Sequence, residues 1–256
     1  MHETKRTADF ALKRSQALRN MESHLQSILF GAAKSIISAS NKYTIAGSLI
    51  AEASLLSEAK KITSRTAADI EKYISAYSKA ACKILDIGTD NIDSFLVGDI
   101  FGKTIRERND VYLANFAEDI VRMVKAGALM GYSDSQILSA VRTGYKNPYL
   151  TSVITKARKK DINIATPSYG SGYYHNAYSN LLRNASQTIS MAWGLAEQEY
   201  GKDSGAIGFE VHRGSSYPCD ICDSMTGYVH KWGDPFPPFH VSCVCYTSFV
   251  YKNKEK

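Results

Sequence analysis

The stretch from Pro218 to Tyr246, "PCDICDSMTGYVHKWGDPFPPFHVSCVCY", holds four of the chain's five cysteines. Cys219-x-x-Cys222 lies on turn-forming sequence, and seventeen residues separate Cys222 from His240, which opens His240-x-x-Cys243-x-Cys245. Thiolates and imidazole are the ligands of tetrahedral structural zinc, commonly contributed in pairs by two tight turns. One such site fits, with one structural zinc ion per chain. Five donors compete for four positions. Cys219, Cys222, His240 and Cys243 are the expected ligands, with Cys245 either the real fourth ligand or a buried neighbour, because Cys243 and Cys245 face the same side of a strand.

A segment of about 50 residues is marginal without a staple, so the expected role is structural, with no catalytic and no cofactor-binding residues assigned. Catalytic zinc keeps a position open for water and needs an acid or base beside it. His230, Asp220, Asp223 and Asp234 could supply one, which leaves a zinc-dependent hydrolase or nuclease as the alternative. A RING or LIM arrangement needs two metal sites and about eight ligands, more than this chain offers. A thioredoxin-like Cys-x-x-Cys should open a helix in a βαβ setting, whereas Gly227 and "DPFPPF" follow here. A zinc module that binds nucleic acid would want basic surroundings; residues 202 to 256 hold as many acidic as basic residues, and Trp232, Phe236 and Phe239 fit core packing.

At 256 residues and 44% hydrophobic, the chain can bury a sizeable core. Its net charge of +6 falls in residues 1 to 201, with "KARKK" at 156 to 160 the densest cluster; a solvated helix end is the ordinary role of such a run. The opening "MHETKRTADF" lacks the apolar stretch of a signal peptide, and no run of about 18 apolar residues follows. A soluble protein made in a cytoplasm is expected, where clustered cysteines bind metal more often than they form disulfides.

The elements that must carry the cysteine turns can be read by period. Leu18, Met21, Leu25, Ile28, Leu29, Ala32 and Ile36 line one helical face. Leu55, Ala59, Ile62, Ile70, Ile74 and Tyr77 line a second with a weaker middle, and "ASNKYT" at 39 to 44 is the turn of an antiparallel hairpin. A break at 85 to 93 precedes helical sequence through 111 to 131, with Leu113, Phe116, Ala117, Ile120, Val124 and Ala128 in register. Ser133 and Gln136 form a capping box for a short helix to about Thr143, and Asn147 with Pro148 suits the start of another. Residues 161 to 174 are the candidate linker, and a long helix from about 174 to 200 puts Leu181, Ala185, Thr188, Ala192 and Leu195 on one face. "IGFEVHR" and "CYTSFVY" read as strands. Cys82 and Trp193 read as core residues, and Tyr174 with His175 as the end of the linker. The expected fold class is therefore α+β: a mostly helical docking or oligomerisation region at 1–160, then the long helix and a small zinc-stapled, β-rich module at 208–250 within 161–256.

The order "GYSDSQI" at 131 to 137, a long helix around "SQTI" at 186 to 189, Cys219 and Cys222, Gly227, and "PPFHVSCVC" at 237 to 245 resembles the Mu F-like (SPP-type) minor head, or head morphogenesis, proteins of tailed bacteriophages. The final block carries the specificity, and the resemblance covers roughly the C-terminal half. Gln187 and Ile189 stand where that family tends to have Arg and Glu, and Val244 where Arg is usual. The resemblance implies a virion component associated with the portal or capsid interior, acting in head assembly or in DNA packaging and ejection. Portal and capsid proteins are the implied partners, packaged DNA a further one through the basic helical region, and oligomerisation is compatible with both. The chain ends about ten residues after Cys245, so no fused toxin or enzyme domain is expected and a non-enzymatic role is.

Overall fold

In the computed structural model the described residues are 3–100, 102–144 and 177–252. Helices dominate, and short antiparallel strands are concentrated in the C-terminal region, as expected of the α+β class. Helix α1 runs Glu3–Ser40 and α2 Glu52–Leu85. Along α1, Phe10, Ala17, Met21, Leu25, Leu29, Ala32 and Ile36 are buried at spacings of three, four and seven, so one stripe faces a core. The weak middle of α2 is filled by Thr63 and Ala67, both buried; the Thr63 hydroxyl is satisfied by the Lys60 carbonyl at 3.2 Å.

The link between these helices is more structured than a plain turn. A 3-10 turn at Asn41–Tyr43 leads into a hairpin of β1 (Thr44–Ile45) and β2 (Ser48–Leu49), paired Thr44 to Leu49 and Ile45 to Ser48. Ala46 and Gly47 have φ of 47° and 77°, the two positive values that a type I′ turn requires. Glu58 on α2 ties the link down, accepting from Tyr43 Oη at 2.8 Å and Lys42 Nζ at 3.1 Å.

The break at 85 to 93 is shorter than expected, because α3 already starts at Asp90 and runs to Val97. Helix α4 spans Ile105–Leu129 and buries Leu113, Phe116, Ala117, Ile120 and Val124. Its start is a reciprocal clasp: Thr104 Oγ1 accepts from the Glu107 amide, and the Glu107 carboxylate accepts from the Thr104 amide at 2.7 Å. The Thr104 amide and hydroxyl hold the Glu107 carboxyl below its ordinary range. The clasp therefore contributes while that carboxylate is ionised and weakens as pH falls through its lowered pKa. Thr104→Ala is expected to cost about 1 kcal/mol in urea unfolding, as cap losses generally do. An unchanged midpoint would show that the clasp is solvent-replaceable.

The second capping box forms as its spacing requires. Gln136 Oε1 accepts from the Ser133 amide at 2.9 Å, at the head of α5 (Asp134–Gly144). The helix expected from Asn147, the basic cluster at 156 to 160, the linker with Tyr174 and His175, and the division near residue 160 all lie outside the described residues.

Helix α6, Ala177–Asp203, is the long helix. Leu181, Ala185, Thr188 and Ala192 are buried, but Leu195 is 38% exposed and Ala196 is buried instead. The stripe continues from Ala192 by a step of four rather than three, which turns Leu195 outward. Beyond α6, β3 (Gly208–His212) pairs antiparallel with β4 (Val229–Lys231) on one side and β5 (Tyr246–Val250) on the other. A one-turn helix, α7 (Asp220–Asp223), lies between β3 and β4.

Two compact units result, each discontinuous in sequence. Met1–Met21, Tyr73–Gly102 and Ala185–Lys256 form the first; Glu22–Lys72 and Lys103–Asn184 form the second. In the first, Trp193 of α6 is 1% exposed, its ring centroid lies 4.8 Å from that of Phe10, and its Nε1 donates to the Tyr77 carbonyl at 2.8 Å. Cys82 is fully buried in the same unit. No described helix is long and apolar enough to cross a membrane.

Candidate metal centre

The C-terminal part of the first unit builds a small core from Ala206, Phe209, Val211, Cys222, Cys243, Cys245 and Phe249, with Tyr200, Met225, Trp232, Phe236 and Phe239 packed against it. Three of the four clustered cysteines thus belong to the apolar core itself. Phe209 is at its centre, with ring centroids of Phe236 at 4.8 Å, His230 at 4.9 Å and Trp232 at 5.5 Å.

Two turns bring the donors together. The first is α7: the Asp223 amide donates to the Cys219 carbonyl at 2.8 Å, so Cys219 at the N-cap and Cys222 three residues on share one face. The second is a turn closed by the Cys243 amide on the His240 carbonyl at 3.1 Å, with Ser242 in the left-handed region at φ 62°. After it the chain runs extended, and Cys243 and Cys245 are buried while Val244 between them is 40% exposed. They share a side as expected, although the ladder of β5 begins only at Tyr246. At Gly214, a Cβ would collide with the Val244 carbonyl, so a residue without one lets these two segments approach.

The five donors fall into two overlapping triads. Cys219 Sγ, Cys222 Sγ and a His240 ring nitrogen lie within 4.8 Å of one another, as do the sulfurs of Cys222, Cys243 and Cys245. Cys222 is common to both. His240 Nε2 is 3.3 Å from Cys219 Sγ and 3.0 Å from Cys222 Sγ, and the sulfurs of Cys222 and Cys243 are 3.8 Å apart. Tetrahedral coordination with ordinary zinc bond lengths gives edges of about 3.8 Å between sulfurs and about 3.5 Å between sulfur and nitrogen. Each triad can hold a metal ion, and the Cys222–Cys243 separation equals a tetrahedral sulfur–sulfur edge, whereas the two nitrogen–sulfur distances are shorter than the corresponding edge.

Protonation is arranged to suit. His240 Nδ1 lies 2.8 Å from the Val241 carbonyl, which can only accept, so the proton sits on Nδ1 and the Nε2 lone pair faces the sulfurs. The Cys222 amide, aided by the Ile221 amide and the Arg213 guanidinium, holds the Cys219 thiol below its ordinary value against the opposing effect of burial. Burial in the apolar core pushes the Cys222 and Cys245 thiols up.

Three of the acid and base candidates have partners within the module, and Asp223 also accepts from the Cys219 amide at 3.3 Å. His230 is 1% exposed, bonded through Nε2 to the Met225 carbonyl at 2.9 Å and stacked on Phe209. Asp223 pairs with Arg213, and Asp234 accepts from the Lys231 amide at 2.9 Å. Asp220 sits at the exposed start of α7. Gly227, at φ 89°, makes the turn between α7 and β4.

Two features of the site were not singled out from the sequence. Arg14 of α1 donates through Nη2 to the Cys245 carbonyl at 2.8 Å, and Thr247 Oγ1 donates to the buried Glu197 of α6 at 2.9 Å. The signal for Arg14 was present: it falls on the apolar stripe of α1 between Phe10 and Ala17. No protein-family model, no curated protein and no solved structure matches the chain.

Proposed function

We propose that this chain is a non-enzymatic minor head, or head morphogenesis, protein of a tailed bacteriophage or prophage, with a C-terminal module stapled by one zinc ion. The observation that carries the proposal is the meeting of Cys219, Cys222 and His240 in one donor triad that shares Cys222 with a second triad, Cys222, Cys243 and Cys245, in a module that follows a long helix in the order of the Mu F-like motif. Cys219, Cys222, His240 and Cys243 would hold the ion, and Cys245, whose sulfur shares a triad with those of Cys222 and Cys243, competes with Cys243 for the fourth position. Zinc in such a shell supplies cross-linking rather than a reactive water. The protein's residues supply the rest: the Val241 carbonyl orients the imidazole, the amides of α7 favour the Cys219 thiolate, and the Phe209 core excludes solvent.

On this proposal the protein acts by binding, with portal and capsid proteins as partners in the virion, at the portal or the capsid interior, and with packaged DNA as a further contact. The test is mass spectrometry of gradient-purified particles released on induction of the strain that encodes the chain. Co-sedimentation with portal and capsid protein at a few copies per particle is expected. Particles that contain portal protein but lack this chain would contradict a virion role.

A further inference from the structure

Four donors complete a tetrahedral zinc shell, so the five that gather in the C-terminal module leave one over. With Cys219, Cys222, His240 and Cys243 on the ion, the remaining sulfur is that of Cys245. It does not stand alone: it lies within 4.8 Å of the sulfurs of both Cys222 and Cys243, which are themselves 3.8 Å apart. This triangle differs in kind from the one that contains His240. All three of its donors are sulfurs, all three are buried, and they belong to the apolar core around Phe209. Cys245 is also held in place, since Arg14 Nη2 donates to its carbonyl at 2.8 Å and β5 starts at the next residue.

Sulfur-only ligand sets select soft ions, copper(I) among them. Copper(I) is stable with three ligands in a plane and needs no water to complete its shell. Three sulfurs about 2.3 Å from an ion at the centre of their triangle would stand about 4.0 Å apart, close to the Cys222–Cys243 edge. A thiolate keeps lone pairs after binding one ion, so Cys222 and Cys243 can each bridge to a second. From this arrangement we infer that Cys222, Cys243 and Cys245 form a second, all-sulfur site for a thiophilic monovalent ion of the copper(I) class, sharing two sulfurs with the zinc site. The inference rests on the proposed zinc site, which makes Cys245 the donor left over.

The experiment titrates copper(I) into the zinc-loaded full chain under anaerobic conditions, in competition with a chromophoric copper(I) chelator. The wild type is expected to take up one copper per chain and keep its zinc. X-ray absorption at the copper edge of the wild type, which does not depend on any variant folding, should give three sulfurs and no nitrogen. Cys245→Ser should keep zinc and take up nearly no copper, and Cys82→Ala, which removes the cysteine outside the cluster, should match the wild type. A zinc-loaded wild type that takes up no copper, copper that enters only as zinc leaves, equal copper uptake by Cys245→Ser, or a copper shell containing nitrogen would overturn the second site while leaving the zinc centre standing. Loss of zinc from Cys245→Ser would assign Cys245 to zinc and overturn it as well. A wild type that takes up no zinc would overturn the zinc staple and this division of the donors together.

Discussion

Replacing Cys222 by serine is expected to abolish metal binding and unfold the C-terminal module, taking the metal content from about one ion per chain to nearly none. Cys222 is the sulfur shared by both donor triads, and at 3% exposure it is also part of the core packed around Phe209. Apparent binding free energies of structural zinc in small peptides run to about 10–16 kcal/mol, as large as the whole stability of a typical domain. A module whose longest strands have five residues cannot replace that with apolar burial. The check is elemental analysis together with hydrogen exchange over residues 206–250, where protection should collapse. Full metal content in Cys222→Ser, or an unchanged exchange pattern, would remove Cys222 from the centre.

The second large effect is expected at Trp193. Trp193→Ala should destabilise the protein by about 3–5 kcal/mol, the range for buried aromatic-to-alanine changes. The ring is nearly inaccessible and tilted against Phe10, and its indole N–H satisfies the Tyr77 carbonyl. Truncation therefore opens a cavity where α1, α2 and α6 meet inside the first unit. Trp193→Phe separates the contributions: most of the volume stays and the hydrogen bond goes, so a loss of about 1 kcal/mol is expected. Urea unfolding followed by far-ultraviolet circular dichroism measures both. A loss below about 1 kcal/mol for the alanine variant would mean that the site collapses around the missing ring.

The helices were legible because their buried positions recur with the helical period: Met21, Leu25 and Leu29 on α1, and Leu113, Phe116 and Ile120 on α4, are all buried. The middle of α2 was hard to read because Thr63 and Ala67 fill it, and neither contributes much to a hydrophobic pattern. The hairpin at Thr44–Leu49 was missed for another reason. Its strands have two residues each, and its turn uses Ala46 with Gly47 instead of the usual Asn-Gly, so neither alternation nor turn chemistry announces it. Leu195 shows the limit of extrapolating a stripe, since a step of three or four decides whether a side chain faces the core or solvent.

The donor cluster was legible because metal ligands come in few residue types at short, fixed spacings. Cys219, Cys222 and His240 meet in one triad and Cys222, Cys243 and Cys245 in another. Long-range partners left no such spacing: Arg14 stands 231 residues from Cys245, and only its position on an otherwise apolar stripe marked it as unusual.

The most direct test of the metal centre is elemental analysis of the purified full chain combined with X-ray absorption at the zinc edge, repeated for Cys243→Ser and Cys245→Ser. One zinc per chain in a closed shell of three sulfurs and one nitrogen is expected, lost in Cys243→Ser and kept in Cys245→Ser. A chain without metal, or a shell with a water oxygen in the fourth position, would contradict the structural staple.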